Sequence, residues 1–465
     1  MTTKSKPSLF LSLIPLLFLI GSMSWTLLVA EQEAHIALIL TTIVAAVVGL
    51  YAGSSWKDLE EGMKKGLQIG LSAIIILMVI GLLIAVWIAA GIVPLFITLG
   101  LDLLSASIFL PAVAVICGLV SLATGSSWTT AGTVGVAFIG VGTGLGFPLP
   151  MVAGAIVSGA YFGDKLSPLS DSTNLAAAVT GVDLFAHIRH MLYTTLPAFG
   201  LALIGFFALG LFVGGGDSSL VSVDEIQTAI KGEYNLSFIL LLAPAAVFVM
   251  SLKKMPALPS LVIATLIGSV MAIWVQGVPL GELIGIAHFG YEGSTGNTEV
   301  DDLLSRGGLE PMMYTISLIL CALIFGGIME ATGFIGRITE AILSRVKSRG
   351  GLVFTTIASC LGMNLTTSDQ YIALIVPGRM FGKDYARFKL APKNLSRTIE
   401  DGGTMTSALV PWNTCGATML ASLGVNPFVF LPFAFFNLLT PIIAIAWAYL
   451  GIGQAELEEE VEDRS

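Results

Sequence analysis

Charged residues are scarce in this 465-residue sequence. Asp, Glu, Lys and Arg together make up 11% of the chain and hydrophobic residues 55%, whereas a soluble domain carries about 25% charge. This composition excludes an ordinary soluble domain and predicts an all-α polytopic membrane protein. The chain has no basic patch, which excludes nucleic acid as a partner, and the net charge of -9 comes mostly from acids in loops and tails.

Sequence signatures of catalysis and of resident metals are also lacking. The chain contains no HExxH, GxSxG or P-loop pattern, and its four cysteines form no CxxC pair. We therefore predict neither an enzyme nor a cofactor, and interpret the cysteines as buried free thiols. Residues 161–164 resemble the GxGD element of intramembrane aspartyl proteases, but Tyr161 replaces its first glycine. His187 and His190 are interpreted as solvated helix-end residues, with sensing of cytoplasmic pH as the alternative.

Long apolar runs are abundant, and each is about long enough to cross ~30 Å of hydrocarbon. They predict ten spans, at 9–29, 35–51, 67–91, 148–182, 191–213, 235–251, 257–276, 311–333, 398–424 and 427–450.

The distribution of Lys and Arg predicts how these spans are oriented, because basic loops stay in the cytoplasm. Lys4 and Lys6 place the N-terminus inside, and the pair Lys253–Lys254 places the loop after the sixth span inside. The acidic segments 214–234 and 291–310 belong outside. Ten spans then leave both termini in the cytoplasm.

Two further apolar stretches, 108–145 and 350–381, are predicted to be re-entrant hairpins with a polar tip. Basic residues crowd both flanks of the second stretch, whereas 95–107 and 142–149 contain no Lys or Arg. Both ends of the second hairpin should therefore be cytoplasmic and both ends of the first external. Two full spans per stretch would preserve the same parity, but arms of about 15 residues are short for crossing.

The two halves resemble each other weakly at a shift of 242 residues, with Ser126 matching Ser368 and Ala131 matching Ala373. Five spans per half is an odd number, so the second half should be inserted upside down. We predict two inverted-topology repeats with two broken helices, at 1–235 and 236–451, and an acidic cytoplasmic tail at 452–465 that is either solvated or a docking segment.

Polar residues interrupt the apolar segments at matching places in the two halves, in both hairpins and in the fourth and ninth spans. Such breaks survive in hydrocarbon only where they line a protected cavity. They predict an ion- or substrate-binding site with these residues: Thr124, Ser126, Ser127, Ser170, Ser172, Thr173, Asn174, Asn364, Thr366, Thr367, Ser368, Asn413 and Thr414. Trp128 and Trp412 lie beside two of the breaks and either pack there or line the cavity.

Charged residues at bilayer depth cost roughly 3 kcal/mol or more, so they are functional or paired. Asp171 lies among Ser, Thr and Asn, which suits a carboxylate for which Na⁺ and H⁺ compete. Asp369 is a second candidate, and we predict Na⁺ at both. Asp164 is a further acid candidate, with a structural Asp164–Lys165 pair as the alternative. Glu400 and Asp401, at the start of the ninth span, either cap a helix or form a proton entrance.

The residues at these breaks closely resemble the NhaC family of Na⁺/H⁺ antiporters. The resemblance rests on 125–135, on the run GDKLSPLSDSTN at 163–174, and on 366–371 and 411–416. It covers nearly the whole chain and implies bacterial plasma-membrane exchange of Na⁺ against H⁺ with two re-entrant hairpins. One branch of the family exchanges malate and lactate, and a passive channel is the alternative from another class. The predicted partners are Na⁺, H⁺, small carboxylates, the lipid bilayer and a second copy of the chain.

Overall fold

The computed structural model of the protein describes residues 7–213, 223–344 and 346–457. In this part of the chain all regular elements are helices, and an isolated bridge between Leu390 and Glu456 is the nearest approach to a strand. This confirms the all-α prediction. The predictions that rest on Lys4, Lys6, 214–222, Arg345 and the tail beyond 457 lie outside the described residues.

The helices of the first half follow the predicted runs, with local signals at their ends. Ser55 and Asp58 form a capping box that starts the long third helix, and Gly91 adopts the left-handed conformation that separates the third helix from the fourth. The elements are α1 (Leu9–Leu28), α2 (Ala34–Tyr51), α3 (Trp56–Ala89), α4 (Ile92–Leu103), α5 (Ala106–Thr124), α6 (Ser127–Thr130), a π-helix (Ala131–Gly135), α7 (Val136–Gly144), α8 (Leu149–Leu166), α9 (Asp171–Thr180) and α10 (Leu184–Val213).

The remaining elements start with α11, which still belongs to the predicted first repeat, and continue through the second half. The elements are α11 (Val223–Glu233), a 3-10 helix (Phe238–Leu241), α12 (Leu242–Leu252), α13 (Ala257–Trp274), α14 (Leu280–Phe289), α15 (Thr298–Leu304), α16 (Leu309–Ala331), α17 (Phe334–Leu343), α18 (Arg349–Thr366), α19 (Gln370–Arg387), α20 (Pro392–Ile399), a π-helix (Glu400–Thr404), α21 (Met405–Ser407), α22 (Thr414–Leu423), α23 (Pro427–Phe430), a 3-10 helix (Leu431–Phe433) and α24 (Phe435–Leu450).

The predicted spans coincide with helices or with pairs of helices separated by a break. Among the described helices, seven are long and apolar enough to cross a membrane, or up to nine if each of two bent pairs counts as one span. Three predicted starts are wrong: α3 begins at 56 rather than 67, α10 begins at 184 rather than 191, and the ninth segment begins at 392 rather than 398. In all three cases the first turns carry basic residues, so hydropathy underestimates the helix.

Each predicted hairpin is a pair of helices joined at a polar tip. The first comprises α5 to α7, at 106–144, and the second comprises α18 and α19, at 349–387. The second is thus longer than the predicted 350–381, because the basic last turns of α19 remain helical. Each arm has 18 or 19 residues rather than about 15, and α5 is long and apolar enough to cross a membrane. The re-entrant course of the hairpins therefore stays a prediction.

The order of elements recurs along the chain at the predicted spacing. The helices α4 and α17 both follow a left-handed glycine, Gly91 and Gly333, and begin 242 residues apart. The broken ends α9 and α22 begin 243 residues apart and are both closed by a left-handed glycine, Gly181 and Gly424. This recurrence is what two repeats of one fold would give, and their opposite insertion stays a prediction.

Close backbone contact fixes the first hairpin against the fourth segment. A Cβ built on Gly163 of α8 would lie 2.1 Å from the carbonyl oxygen of Gly118 on α5, and one on Gly159 would lie 2.2 Å from that of Ala114. Small residues at such spacing let membrane helices approach closely. This packing positions the end of α8 beside the hairpin tip.

Candidate functional site

The first break, between α8 and α9, satisfies its own backbone. Pro168 has no N–H to donate, and Ser170 caps α9 by accepting from the N–H of Thr173 at 3.4 Å. The Asn174 side chain donates to the carbonyls of Pro168 and Ser170 at 2.9 and 2.7 Å. Asn174 is therefore used to hold the break, and Thr173, which donates to the Lys165 carbonyl at 3.0 Å, has the same role.

The tip of the first hairpin is joined to this break by Asp164. One carboxylate oxygen, Oδ2, accepts from the Ser127 hydroxyl at 2.6 Å and from the Ser127 N–H at 3.1 Å. Ser126 caps the short helix α6 by accepting from the N–H of Thr129 at 3.1 Å. The Asp164 carboxylate is buried, so it ties the hairpin tip to the fourth segment.

The second hairpin tip, between α18 and α19, is joined in a different way to the second break, which lies between α21 and α22. Asp369 caps α19, accepting from the N–H groups of Tyr371 and Ile372 at 2.8 and 3.1 Å. Asn413 donates to Asn364 Oδ1 at 3.0 Å, and the Thr414 N–H donates to the Ser368 carbonyl at 2.9 Å. The side chains of Asn364, Ser368, Asp369, Asn413 and Thr414 are all buried. The second tip and break therefore form a closed polar cluster.

The hydroxyl groups of the second tip bond within their own helix. Thr366 donates to the Gly362 carbonyl and Thr367 to the Met363 carbonyl, at 2.7 and 2.8 Å. Asn364 donates to the Gly403 carbonyl at 2.7 Å and to Thr406 at 2.9 Å. The indole N–H of Trp412 donates to the Leu365 carbonyl at 2.9 Å, so Trp412 has a packing role.

A buried ion pair connects the two halves. The Lys165 ammonium contacts the carboxylate of Asp401, which also accepts from the Thr194 hydroxyl at 3.1 Å. The neighbouring Glu400 accepts from Ser172 at 2.9 Å and from Thr404 at 3.0 Å. The interpretation of Asp164 as the structural partner of Lys165 is therefore wrong: the partner lies 236 residues away in the sequence.

The placement of Glu400 and Asp401 at the start of a span is also wrong. The helix α20 begins at Pro392, and both acids follow two turns later in the π-helix Glu400–Thr404, where they are fully buried. Single-turn π-helices are frequent at functional sites. The histidine interpretation needs a similar correction, because His187 and His190 are buried and lie 2.8 Å from Ser396 Oγ and 3.2 Å from Asn394 Oδ1 respectively.

A cavity of about 260 Å³ opens where the first tip and the first break meet. Asp171 is exposed in it and Asp164 lies in its wall. Seven predicted site residues line it: Thr124, Ser126, Ser127, Asp164, Ser170, Asp171 and Ser172. Asp369 and the other second-half residues do not, although Gln370 and Tyr371, directly after Asp369, do. The structure thus separates the predicted residues into an open first cluster and a closed second one.

Five polar side chains in the cavity wall were missing from the predicted site: Thr129, Ser251, Lys254, Gln370 and Tyr371. In the sequence, Lys254 served only to orient the loop after the sixth span. Its position between two predicted spans was the signal that could have suggested a place near the site. Trp128 also lines the cavity, as one interpretation of the sequence expected. Carboxylate and hydroxyl oxygens around an open space suit a small hard cation.

All four cysteines are free, and Cys117, Cys360 and Cys415 are buried as expected, whereas Cys321 is half-buried. In the described part of the chain, no group of three or more His, Cys, Asp or Glu side chains is placed to hold a metal ion.

The chain resembles known membrane transporters over most of its length. The sequence pattern of the Na⁺/H⁺ antiporter family matches residues 159–452. The chain is 40% identical to the Na⁺/H⁺ antiporter NhaC of Alkalihalophilus pseudofirmus, with 92% of each chain covered. It is 38% identical to the malate-2H⁺/Na⁺-lactate antiporter of Bacillus subtilis, covering 96% of this chain and 95% of that one. It is 37% identical to the arginine/ornithine antiporter ArcD of Halobacterium salinarum, covering 96% and 93%. The chain therefore belongs to the Na⁺/H⁺ antiporter family, as its break motifs indicated.

Proposed function

We propose that this protein exchanges Na⁺ for H⁺ across the bacterial plasma membrane by alternating access. The observation that carries the proposal is the Asp171 carboxylate, which is exposed in a cavity lined by hydroxyl groups at the meeting point of a hairpin tip and a broken helix. Breaks of this kind form the ion sites of secondary transporters. A carboxylate there neutralises either a sodium ion or a proton, so the two ions compete.

The Na⁺ ligands we propose are the carboxylate of Asp171 and the oxygens of Ser126 and Ser170, which line the same cavity. Asp164 contributes negative charge while it holds the tip through Ser127. Asp369 is proposed as a second position for the cation, reached through the wall that Tyr371 forms. Movement of the first tip relative to the first break would then open and close the site.

The cavity is proposed to open to the cytoplasm. Lys254 and Ala257 are among its lining residues, and the loop between α12 and α13 that contains Lys253 and Lys254 is basic. Basic loops remain on the cytoplasmic side. The same rule places both termini in the cytoplasm.

Reconstituted protein tests the proposal directly. A Na⁺ gradient imposed on proteoliposomes that contain a pH indicator should move protons in the opposite direction. Asp171→Asn should abolish this exchange, because the amide keeps the shape but cannot neutralise a cation or carry a proton. The protein should stay folded, as judged by gel filtration in detergent.

Asp183→Asn is the matched control for this variant. Asp183 is exposed and accepts from the N–H of Ala186 at 2.9 Å, a bond that asparagine also makes. It should exchange at the wild-type rate. Retained exchange in Asp171→Asn would remove Asp171 from the site, and proton movement without any Na⁺ dependence would contradict the proposal.

An organic substrate is the second candidate. Lys254 faces the same cavity as Asp171, so the wall carries both signs of charge, and about 260 Å³ is room for a small carboxylate or amino acid. Malate and lactate, or arginine and ornithine, are the substrates that the names of two relatives give. Exchange of labelled malate, lactate or arginine in the same vesicles, lost in Lys254→Gln, would favour this candidate.

A further inference from the structure

A pair of buried carboxylates, which does not line the cavity, lies where the two halves of the chain meet. Glu400 and Asp401 occupy the π-helix after α20, with no exposure of either side chain. The Lys165 ammonium contacts Asp401, and the Thr194 hydroxyl donates to the same oxygen at 3.1 Å. The positive charge of Lys165 is therefore shared mainly with Asp401.

Glu400 receives hydrogen bonds but no ion pair. Its Oε1 accepts from Ser172 at 2.9 Å and from Thr404 at 3.0 Å, both of them uncharged donors. Its Oε2 has no hydrogen-bond partner among the described residues. A buried carboxylate with an unpartnered oxygen is costly unless something else neutralises it.

The charges of the surrounding groups do not balance. Apart from Asp369 at the second tip, three buried carboxylates, Asp164, Glu400 and Asp401, share this region with two buried cations, Lys165 and Arg397. Arg397 is itself directed toward the end of the chain, where it donates to the Gly453 carbonyl at 2.6 Å. His187 and His190 are bonded to Ser396 and Asn394. One negative charge is left over.

We propose that Glu400 binds an exchangeable monovalent cation, either a proton or Na⁺, as a position separate from the cavity. The Ser172 hydroxyl links the two positions, because Ser172 donates to Glu400 while the adjacent Asp171 faces the cavity. An ion at Asp171 shifts the first turn of α9 and thereby changes how well Glu400 holds its own cation. The inference rests on the proposed exchange of Na⁺ and H⁺ and assigns one of its ions to a residue of the second half.

Ion counting on purified protein in detergent tests the inference. Bound ²²Na⁺ is measured at saturation, and the protons released on Na⁺ addition are measured with an indicator in weak buffer. Glu400→Gln should lose about one bound Na⁺ per protein if Na⁺ occupies this position, or about one released proton if a proton does. Glu400→Asp, which keeps the charge, should retain the wild-type counts. The exposed Glu330, changed in Glu330→Gln, is the matched control and should also retain them.

The outcomes separate this inference from the proposed function. No Na⁺-dependent signal from the wild type would overturn both. A wild-type signal that Glu400→Gln leaves unchanged in both counts would overturn the inference alone. If Glu400→Gln fails to fold, the double variant Ser172→Ala/Thr404→Ala decides. It keeps the carboxylate and removes its two donors, so a several-fold change in the affinity of the counted ion supports the inference, and an unchanged affinity overturns it.

Discussion

Lys165 is fully buried and has its charged partner in the other half of the chain. Its ammonium contacts Asp401 rather than the adjacent Asp164, whose carboxylate is already occupied by Ser127. Neighbouring residues on a helix point about 100° apart, so sequence adjacency is a poor guide to pairing. The pair joins α8 to the π-helix after α20, and we expect it to stabilise the fold independently of ion binding.

The double substitution of the pair should destabilise the protein less than the single substitution does. Lys165→Gln leaves the buried Asp401 without its cation, and breaking a buried pair in this way costs about 3–5 kcal/mol. Lys165→Gln combined with Asp401→Asn removes both charges and should recover much of the folded protein, measured by gel filtration and thermal denaturation in detergent. Asp164→Asn combined with Lys165→Gln is the control that should recover none. Recovery by that control instead would show that Asp164 is the true partner.

At the scale of the element, the two broken helices are held by different chemistry although their positions correspond. In the first, the carboxylate of Asp164 near the end of α8 accepts a hydrogen bond from Ser127 at the hairpin tip. Asp171, at the start of α9, stays exposed in the cavity. In the second, asparagine amides and backbone groups close the contact between Asn364, Asn413 and Thr414. The asymmetry leaves the first tip in the wall of the cavity, whereas the second tip is closed off from it.

The approach of α8 to α5 should control this site from a distance. A Cβ on Gly163 would lie 2.1 Å from the Gly118 carbonyl oxygen, so Gly163→Ala must push the helices apart and move Asp164 away from Ser127. Overpacking of this kind costs about 1–3 kcal/mol. We expect a lower melting temperature and a several-fold slower Na⁺/H⁺ exchange in proteoliposomes. Gly200→Ala on α10, where an added Cβ meets nothing within 4 Å, should change neither, and an equal loss in both variants would contradict the explanation.

The start of the C-terminal tail is docked rather than solvated. Residues 453–457 bond to the segment after α19: the Leu457 N–H donates to the Lys389 carbonyl at 3.0 Å, and the Ala455 carbonyl accepts from Asn394 at 2.7 Å. Arg349 donates to Glu456 at 3.2 Å. Glu456 and Leu457 thus contact the rest of the chain, whereas the remainder of the acidic run, to which the choice between solvation and docking applies, lies outside the described residues.

For the whole molecule, apolar length and polar interruption predicted where most long helices lie, the helix pair of each hairpin and the first-half residues that line the cavity, because burial in lipid constrains every residue of a segment. Partners were less predictable. Hydropathy indicates that Lys165, Glu400 and His187 need an explanation, but it contains no information on which distant group each one meets. The position of Glu400 along the ninth segment was predicted wrongly for the same reason. The first turns of α20 contain charged residues, so their sequence resembles that of a loop.

At the scale of the whole molecule, cysteine labelling from either side of the membrane can test whether the two halves are inserted in opposite orientations. Each hairpin starts and ends at one place: Arg349 donates to the Phe388 carbonyl at 3.1 Å in the second, and the rings of Phe109 and Phe147 lie 5.4 Å apart in the first. Basic residues flank the second hairpin, whereas 95–107 and 142–149 contain none, so the two pairs of ends should lie on opposite faces.

Single cysteines at four exposed positions, in a background without the native cysteines, test this arrangement. Those at Ser348 and Lys389 should react with an impermeant reagent only from the cytoplasm, and those at Ser105 and Pro148 only from outside. Agreement within each pair is required by the contacts above, so it serves as the internal control. Labelling of all four cysteines from one face would be compatible with the fold but would contradict the inverted insertion of the two halves. The reason to expect that the two breaks open alternately to the two sides of the membrane would then be lost.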